Sequence, residues 1–398
     1  MSENQKQSPL TIFLAFLKLG FTAFGGPIAH IGFYREAFVK QRQWLDEKTF
    51  AQLLAACQFL PGPASSQMGF SIGLVKGGWL GAIAAFIAFT LPSALALFAF
   101  ASFAYLLDGS AGQAIIHGLK LVAVAVVAHA VWGMAQKLTP DWPRRIIAVL
   151  SFILLISLAM AWLQLAVILL GAVLGLWLCK NQQQHAIVSF DLPYQTKLGW
   201  LFLALFLIGL IFSITMMGSS PTSDNVFAAF YQSGALVFGG GHVVLPLLEQ
   251  TTVANGWVTT DTFLSGYGAA QAVPGPLFTL STYLGANIDT GMAAGWTALI
   301  ATVAIFLPGF LLLLAVLPFW AKLAEIPKAG AAIAGVNAAV VGLLAAALYQ
   351  PIITQTVHNV SDVVIALGGF LIVSVLKRSA LWTVFFCVLA SVLFNFIA

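Results

Sequence analysis

Charge is what this chain has least of. Only 8% of its 398 residues are Asp, Glu, Lys or Arg, while 60% are hydrophobic; a soluble domain carries about 25% charged residues. Too little polar surface remains to coat a water-soluble body. Three stretches contain no charge at all: Trp79 to Leu107, Ile146 to Cys179 and Gly291 to Trp320. A helix needs ~20 apolar residues to cross the hydrocarbon of a bilayer, and each stretch exceeds that. Cysteine is scarce too. Cys57, Cys179 and Cys387 form no CxxC and lie in or beside apolar segments. They read as small buried hydrophobes and offer no disulfide framework or metal centre. A Walker-type phosphate-binding loop is missing, which excludes direct use of ATP. No Ser/His/Asp or metal-ligand cluster stands in a workable order, so no enzyme, cofactor or metal is expected. The formal charge of +4 is too small to point to nucleic acid. Met1 to Ser8 lacks the basic and apolar regions of a secretory signal and is expected to be retained.

What is present is a repeat. Gly20-Phe-Thr-Ala-Phe-Gly-Gly-Pro27 recurs as Gly234-Ala-Leu-Val-Phe-Gly-Gly-Gly241. Trp44 is answered by Trp257, and Gln58-Phe-Leu-Pro-Gly-Pro63 by Gln271-Ala-Val-Pro-Gly-Pro276. Leu91-Pro92 is answered by Leu307-Pro308, and Gly118-Leu-Lys120 by Gly335-Val-Asn337; the offset grows only from 213 or 214 to 217. Duplicated halves are common in transporters, with the substrate at the repeat interface.

The basic residues orient the halves. Arg35, Lys40, Arg42 and Lys48 lie in one loop of the first half, whereas the equivalent stretch from Leu248 to Asp261 holds only Glu249 and Asp261. The positive-inside rule therefore puts the two loops on opposite sides. Phe50 to Leu60 and Ala64 to Val75 hold 11 and 12 residues. At ~1.5 Å each they reach ~17 Å, short of the ~30 Å core. Pro61-Gly62-Pro63 must break any helix between them, so they form a re-entrant hairpin. Broken backbone at membrane depth is tolerated only where protein buries it or it lines a cavity. The FGGP stretch reads the same way. Crossings follow near 79–107, 113–136, 146–160 and 163–179, and near 291–320, 329–349, 361–376 and 380–397, with an unpartnered helix from Leu198 to Met217.

The expected fold is thus an all-α polytopic membrane protein. It has two inverted-topology repeats, each with re-entrant broken-helix hairpins and about four crossings, joined by one extra transmembrane helix. Residues 1–180 form the first repeat, 181–224 the linker with the odd helix, and 225–398 the second repeat.

The breaks are the natural binding site. Pro27 follows Gly25-Gly26, and Pro63 follows Pro61-Gly62. Proline is favoured in a first helical turn, so each break reads as the start of a half-helix. A helix N-terminus offers free N–H groups and about +0.5 charge, which favours an oxyanion. Neutral donors stand nearby: Gln58, Ser65, Ser66 and Gln67 in the first half, and Gln271, Thr279, Ser281 and Thr282 in the second. For each, the other reading is that it satisfies the broken backbone. His30 and His242 follow the FGG breaks, out of register with each other, as anion contacts or as packing residues. Lys120 lies within an apolar helix, where a charge is a functional hypothesis by default; the bland alternative is a snorkelling lysine. Gly69, Gly73 and Gly77 form a stripe that reads as close helix packing.

FGGPIAHIG at 24–32, QFLPGP at 58–63, FGGGHVVLPLL at 238–248 and QAVPGP at 271–276 resemble the signatures of the chromate ion transporter family in its long two-domain form. The resemblance implies proton-motive-force-linked export of chromate from the bacterial cytoplasm, and so a multi-pass protein of the inner membrane. It places the oxyanion at Gly25, Gly26 and Pro27; Pro61, Gly62 and Pro63; Gly239, Gly240 and Gly241; and Pro274, Gly275 and Pro276. Gly241 departs from the pattern, standing where the first half has Pro27, and leaves its half-helix start less defined. Sulfate has the same shape and charge as chromate. The expected partners are the oxyanion and membrane lipid, with a homodimer allowed and no nucleic acid. An anion-selective channel and a membrane-embedded enzyme are the competing readings.

Overall fold

A computed structural model describes residues 6–107, 109–158, 163–179, 190, 192–216, 218, 220–324 and 326–397, and the described residues contain helix and no strand. Five helices are long and apolar enough to cross a membrane: Ala64–Phe103, Ser110–Leu138, Thr196–Thr215, Ala294–Leu323 and Pro327–Ile353. The chain is a multi-pass membrane protein.

In the first half, α1 (Pro9–Thr22) is followed by α2 (Gly26–Tyr34), which continues as a π-helix through Gln41. Then come α3 (Glu47–Phe59) and α4 (Ala64–Phe103). A single helix of that length is not what α4 is. Gly78 has φ 63° and ψ −154°, and a Cβ added at Gly73 would lie 2.9 Å from that of Ala85. In a continuous helix those residues would be roughly 18 Å apart. Residues 64–77 therefore fold back on 79–103, as the short half-helix reading requires. The first half ends with α5 (Ser110–Leu138), α6 (Trp142–Ser157) and α7 (Leu163–Leu178), and α8 (Thr196–Thr215) is the odd helix.

The second half repeats this order. It runs α9 (Ser223–Ala235), α10 (Val244–Leu248) with a π-helix through Val253, and α11 (Thr260–Ala272). These are followed by α12 (Leu280–Asn287), α13 (Ala294–Val316), α14 (Trp320–Ala324), α15 (Pro327–Ala347), α16 (Val360–Ser374) and α17 (Ala380–Ile397). Local details repeat as well. The Trp44 N–H donates to Phe38 O at 2.8 Å, and the Trp257 N–H to Thr252 O at 2.9 Å. Asp46 caps α3 through the Thr49 N–H, and Thr259 caps α11 through the Thr262 N–H.

The expectation of four full crossings per half needs correction. Helices α6, α7 and α16 have only 16, 16 and 15 residues, or roughly 23–24 Å against a ~30 Å core. The Asp141 cap starts α6 at Trp142 and the Asn359–Asp362 capping box starts α16 at Val360, but these helices end by Ser157 and Ser374, so neither gains the length of a full crossing.

The halves interlock. Hairpin α6–α7 of the first half packs on α15 of the second, and α16–α17 of the second packs on α5 of the first. The repeated Gly118 and Gly335 make this fit. A Cβ at Gly118 would lie 2.6 Å from Val388 Cα of α17, and one at Gly335 would lie 2.5 Å from Gly175 Cα of α7. Gly20 and Gly234 have a parallel role. Each meets a helix that contains a proline, with an added Cβ only 2.7 Å from Ala88 O or 2.0 Å from Ile305 O. The Gly69, Gly73, Gly77 stripe packs closely too, against Phe16 and Tyr34, Gly81, and Ile12 respectively.

Candidate functional site

Four breaks in the backbone meet at one place. The Gly62 N–H donates to Val237 O at 2.7 Å, and the Gly275 N–H donates to Ala23 O at 3.0 Å. Each PGP turn thus reaches the residue before the FGG corner of the other half. The corners themselves touch: a Cβ added at Gly241 would lie 3.1 Å from Pro27 Cγ. Gly241 and Pro27 are equivalent positions, so they face each other across the relation that exchanges the halves. A second proline would crowd the first, which gives the departure at Gly241 a steric reason. Each PGP turn also leans on the proline-containing helix of the other half. An added Cβ at Gly62 would lie 3.0 Å from Gly309 Cα, and one at Gly275 2.8 Å from Ser93 Oγ.

Glycine is required at these corners. Gly25, Gly26, Gly62, Gly239, Gly240 and Gly275 all have φ between 75° and 156°, a region closed to most side chains. Helix α2 begins at Gly26 with Pro27 in its first turn, and α4 begins after Pro63. In the second half, short 3₁₀ turns at Gly241–Val243 and Leu277–Thr279 lead into α10 and α12. None of these four starts has a side-chain cap. Ser8, Asp46, Asp141, Thr222, Thr259 and Asn359 each cap another helix, while α5, α8, α13 and α15 also start without a side-chain cap. The interior starts keep their N–H groups and partial positive charge uncompensated by side chains.

Several buried polar atoms beside the breaks also lack partners among the described residues: Ser66 Oγ, Gln67 Oε1, Thr90 Oγ1, Gln271 Nε2 and Ser281 Oγ. A native interior leaves few such groups unpaired without a reason. Other side chains do serve the backbone. Gln67 Nε2 donates to Pro61 O at 3.0 Å and Gly309 O at 2.9 Å, and Thr279 Oγ1 to Pro276 O at 2.7 Å. Gly25, Gly239 and Gln58 are exposed, whereas Gly62, Pro63, Gly241 and Pro276 are buried; Pro61, Pro274 and Gly275 are intermediate.

The two histidines make different contacts. His30 is 1% exposed. Its Nε2 lies 3.1 Å from Ala23 O and must hold the hydrogen, which leaves Nδ1 to face the Ser65 hydroxyl at 3.4 Å. His30 thus steadies the carbonyl that also receives Gly275. His242 instead pairs its Nδ1 with Tyr267 Oη at 2.6 Å. Lys120 does not stand free: its Nζ lies 2.9 Å from Asp261 Oδ1, with side-chain exposures of 12% and 68%.

Two polar contacts went unread in the sequence. His117 Nε2 meets Asp362 Oδ1 at 2.7 Å, and His129 Nδ1 meets Ser374 Oγ at 2.8 Å. Both tie α5 to α16. The signal for the first was Asn359-x-x-Asp362, a helix-start pattern.

The family model described as Chromate transporter matches residues 10–176 and 225–392. The chain belongs to the chromate transporter family. It is 28% identical over 337 residues to the chromate transport protein of Pseudomonas aeruginosa, covering 84% of this chain and 79% of that one. It is 30% identical over 360 residues to a probable chromate transport protein of Synechococcus elongatus, covering 88% and 86%. A chromate transport protein of Cupriavidus metallidurans is 25% identical over 387 residues, covering 92% and 87%. No solved structure matches. In this member of the chromate transporter family, each matched stretch contains one FGG corner and one PGP turn, the four elements that meet.

Proposed function

We propose that the chain is a secondary transporter that exports chromate, or a tetrahedral oxyanion of the same shape such as sulfate, across the bacterial inner membrane, and so confers chromate resistance. The observation that carries the reading is the meeting of four helix starts without side-chain caps, joined by the Gly62–Val237 and Gly275–Ala23 hydrogen bonds. Converging N–H groups and partial positive charge suit a dianion better than a cation or a sugar. The FGG and PGP residues are its frame, with Ser66, Gln271 and Ser281 as unpaired donors turned to use. The exposed Gln58 stands beside its entrance. His30 and His242 support the frame through Ala23 and Tyr267. Lys120 is left out of the binding set, because Asp261 already holds its ammonium.

Opposite orientation of the halves is part of the proposal. The exchanged contacts fit any two-fold relation; the axis lies in the membrane plane because Arg35, Lys40, Arg42 and Lys48 crowd one loop and Lys and Arg are absent from its equivalent. Uptake of labelled chromate and sulfate into inside-out vesicles, with and without a pH gradient, tests the function. Gradient-driven accumulation of chromate supports a carrier. Passive flux that only follows the chromate gradient would mean an anion channel.

A further inference from the structure

A carrier that moves an anion against its electrochemical gradient must couple it to a second solute. We propose that Glu249 is the protonation site of this chain, opening to the outer cleft, and that its proton is exchanged against the oxyanion. This rests on the carrier reading above.

The first argument is elimination. Among the described carboxylates, Glu36 and Glu47 pair with Lys40 and Arg35, Asp141 with Arg144, and Asp261 with Lys120. Asp362 is held by His117 and by the His358 and Asn359 N–H groups. Asp46 caps α3, Asp289 accepts from the Gly291 N–H, and Asp224 is exposed. Glu249 alone is partly buried with no ion pair and no hydrogen bond among the described residues.

The second argument is the repeat. Arg35 and Glu249 each open the π-helix of their half, and Glu47 and Thr260 each open the helix that follows. In the first half those positions form the Arg35–Glu47 ion pair at 2.9 Å. In the second half Glu249 and Thr260 line the same cleft. The frame is kept, but the counter-charge has become a neutral hydroxyl. A lone carboxylate in such a place takes up a proton far more readily than a paired one.

The third is the cleft. It has a volume of about 600 Å³, and Glu249 is the one titratable side chain in its lining, which includes Gln164, Gln250, Gln350 and Gln355. Gln164 donates through Nε2 to Pro246 O at 3.3 Å, while its Oε1 is buried without a donor. The amides of Gln250, Gln350 and Gln355 and the Thr260 hydroxyl are each both donor and acceptor, so the lining can serve Glu249 ionised or protonated, as a reversible proton site requires. Titratable groups on the packed and neighbouring elements are otherwise engaged or turned out. Tyr231 on α9 donates to Phe206 O, Tyr267 on α11 bonds His242, Asp261 on α11 holds Lys120, and Tyr349 beside Gln350 is 52% exposed.

The balance is simple. The Glu249 carboxylate gains a proton from the outer side as the oxyanion leaves, and loses it to the inner side before the next turn. The test is Glu249→Gln in proteoliposomes, with labelled chromate. Wild type is assayed first; if it moves no chromate, the carrier reading has failed, and not this assignment. Given an active wild type, Glu249→Gln should lose pH-gradient-driven accumulation by about tenfold or more. It should retain chromate-for-chromate exchange and lose its pH dependence, and Glu249→Asp should recover part of the driven flux. Accumulation at the wild-type level in the Gln variant overturns the assignment. So does equal loss of exchange and driven flux, which would place Glu249 in the passage of the anion itself.

Discussion

The Gly62 N–H donates to the Val237 carbonyl at 2.7 Å, and its repeat image, Gly275 to Ala23, does the same at 3.0 Å. A contact from one half to the other does not by itself imply the reverse contact. That both exist, with Pro27 and Gly241 touching between them, means that neither half completes its own site. Gly62 has φ 118° and Gly275 φ 103°. An alanine at either is strained by about 1–3 kcal/mol, and its Cβ would meet Gly309 Cα or Ser93 Oγ. Gly62→Ala and Gly275→Ala are each expected to lower the melting temperature in detergent and to reduce chromate flux. A melting temperature unchanged in both would remove the joint from the account of the site.

The topology is testable on the surface. Gln41 and Ala254 are exposed in the two equivalent loops. The native Cys57, Cys179 and Cys387 are buried, so their background labelling is low. On intact inner-membrane spheroplasts, an impermeant thiol reagent should label Ala254→Cys and spare Gln41→Cys. Labelling of both, or of Gln41→Cys alone, contradicts the inverted orientation.

Much of this was legible beforehand, and for physical reasons. Proline and glycine constrain the backbone wherever they stand, so the breaks at Gly25-Gly26 and Pro61-Gly62-Pro63 can be read without knowing their surroundings. Long uncharged runs give the second part of α4 and α13 the same way. What could not be read is what depends on partners distant in sequence. Lys120 looked like a free cation because Asp261 stands 141 residues away. The Asp362–His117 contact could not be read either, because its partners stand 245 residues apart. Helices α6 and α16 were read as full crossings although their apolar runs, 146–160 and 361–376, are themselves shorter than the ~20 residues that a crossing needs. The exchange of hairpins between halves is invisible to a repeat search, which aligns segments but not their contacts.

Lys120 and Asp261 should behave as a tether between α5 and α11. With Asp261 largely exposed, the pair contributes up to about 1 kcal/mol. Lys120→Met and Asp261→Asn should each lower transport by about twofold to fivefold, and Lys120→Asp combined with Asp261→Lys should recover most of it. If Lys120 instead guides the anion, the reversed pair stays impaired while Asp261→Asn transports as well as wild type or better.

Asp362 joins α5 to α16 and closes the start of α16 at once. It accepts from His117 Nε2 at 2.7 Å and from the His358 and Asn359 N–H groups at 2.9 and 3.3 Å. Asp362→Ala removes both carboxylate oxygens and with them all three hydrogen bonds, and should cost about 1–3 kcal/mol. Asp362→Asn keeps an acceptor for the backbone and should cost less. Thermal unfolding in detergent orders the three proteins; equal melting temperatures would show that the pair adds nothing to the packing of α16 on α5.

The hydroxyls beside the breaks separate binding from packing. Ser66 Oγ and Ser281 Oγ are buried and have no partner among the described residues. A hydroxyl that satisfies broken backbone stabilises the fold, and its removal lowers the melting temperature. A hydroxyl left unpaired does the opposite: truncating it relieves a desolvation cost, so Ser66→Ala and Ser281→Ala should melt no lower than wild type. If these groups donate to the bound oxyanion, each substitution should weaken chromate binding by about twofold to tenfold, the worth of one hydrogen bond. Chromate-dependent stabilisation in thermal melts reads both quantities at once, through the ligand-free midpoint and its rise with concentration. Lower midpoints with an unchanged chromate response would return both serines to a structural role and leave the backbone N–H groups of the four helix starts as the whole of the anion site.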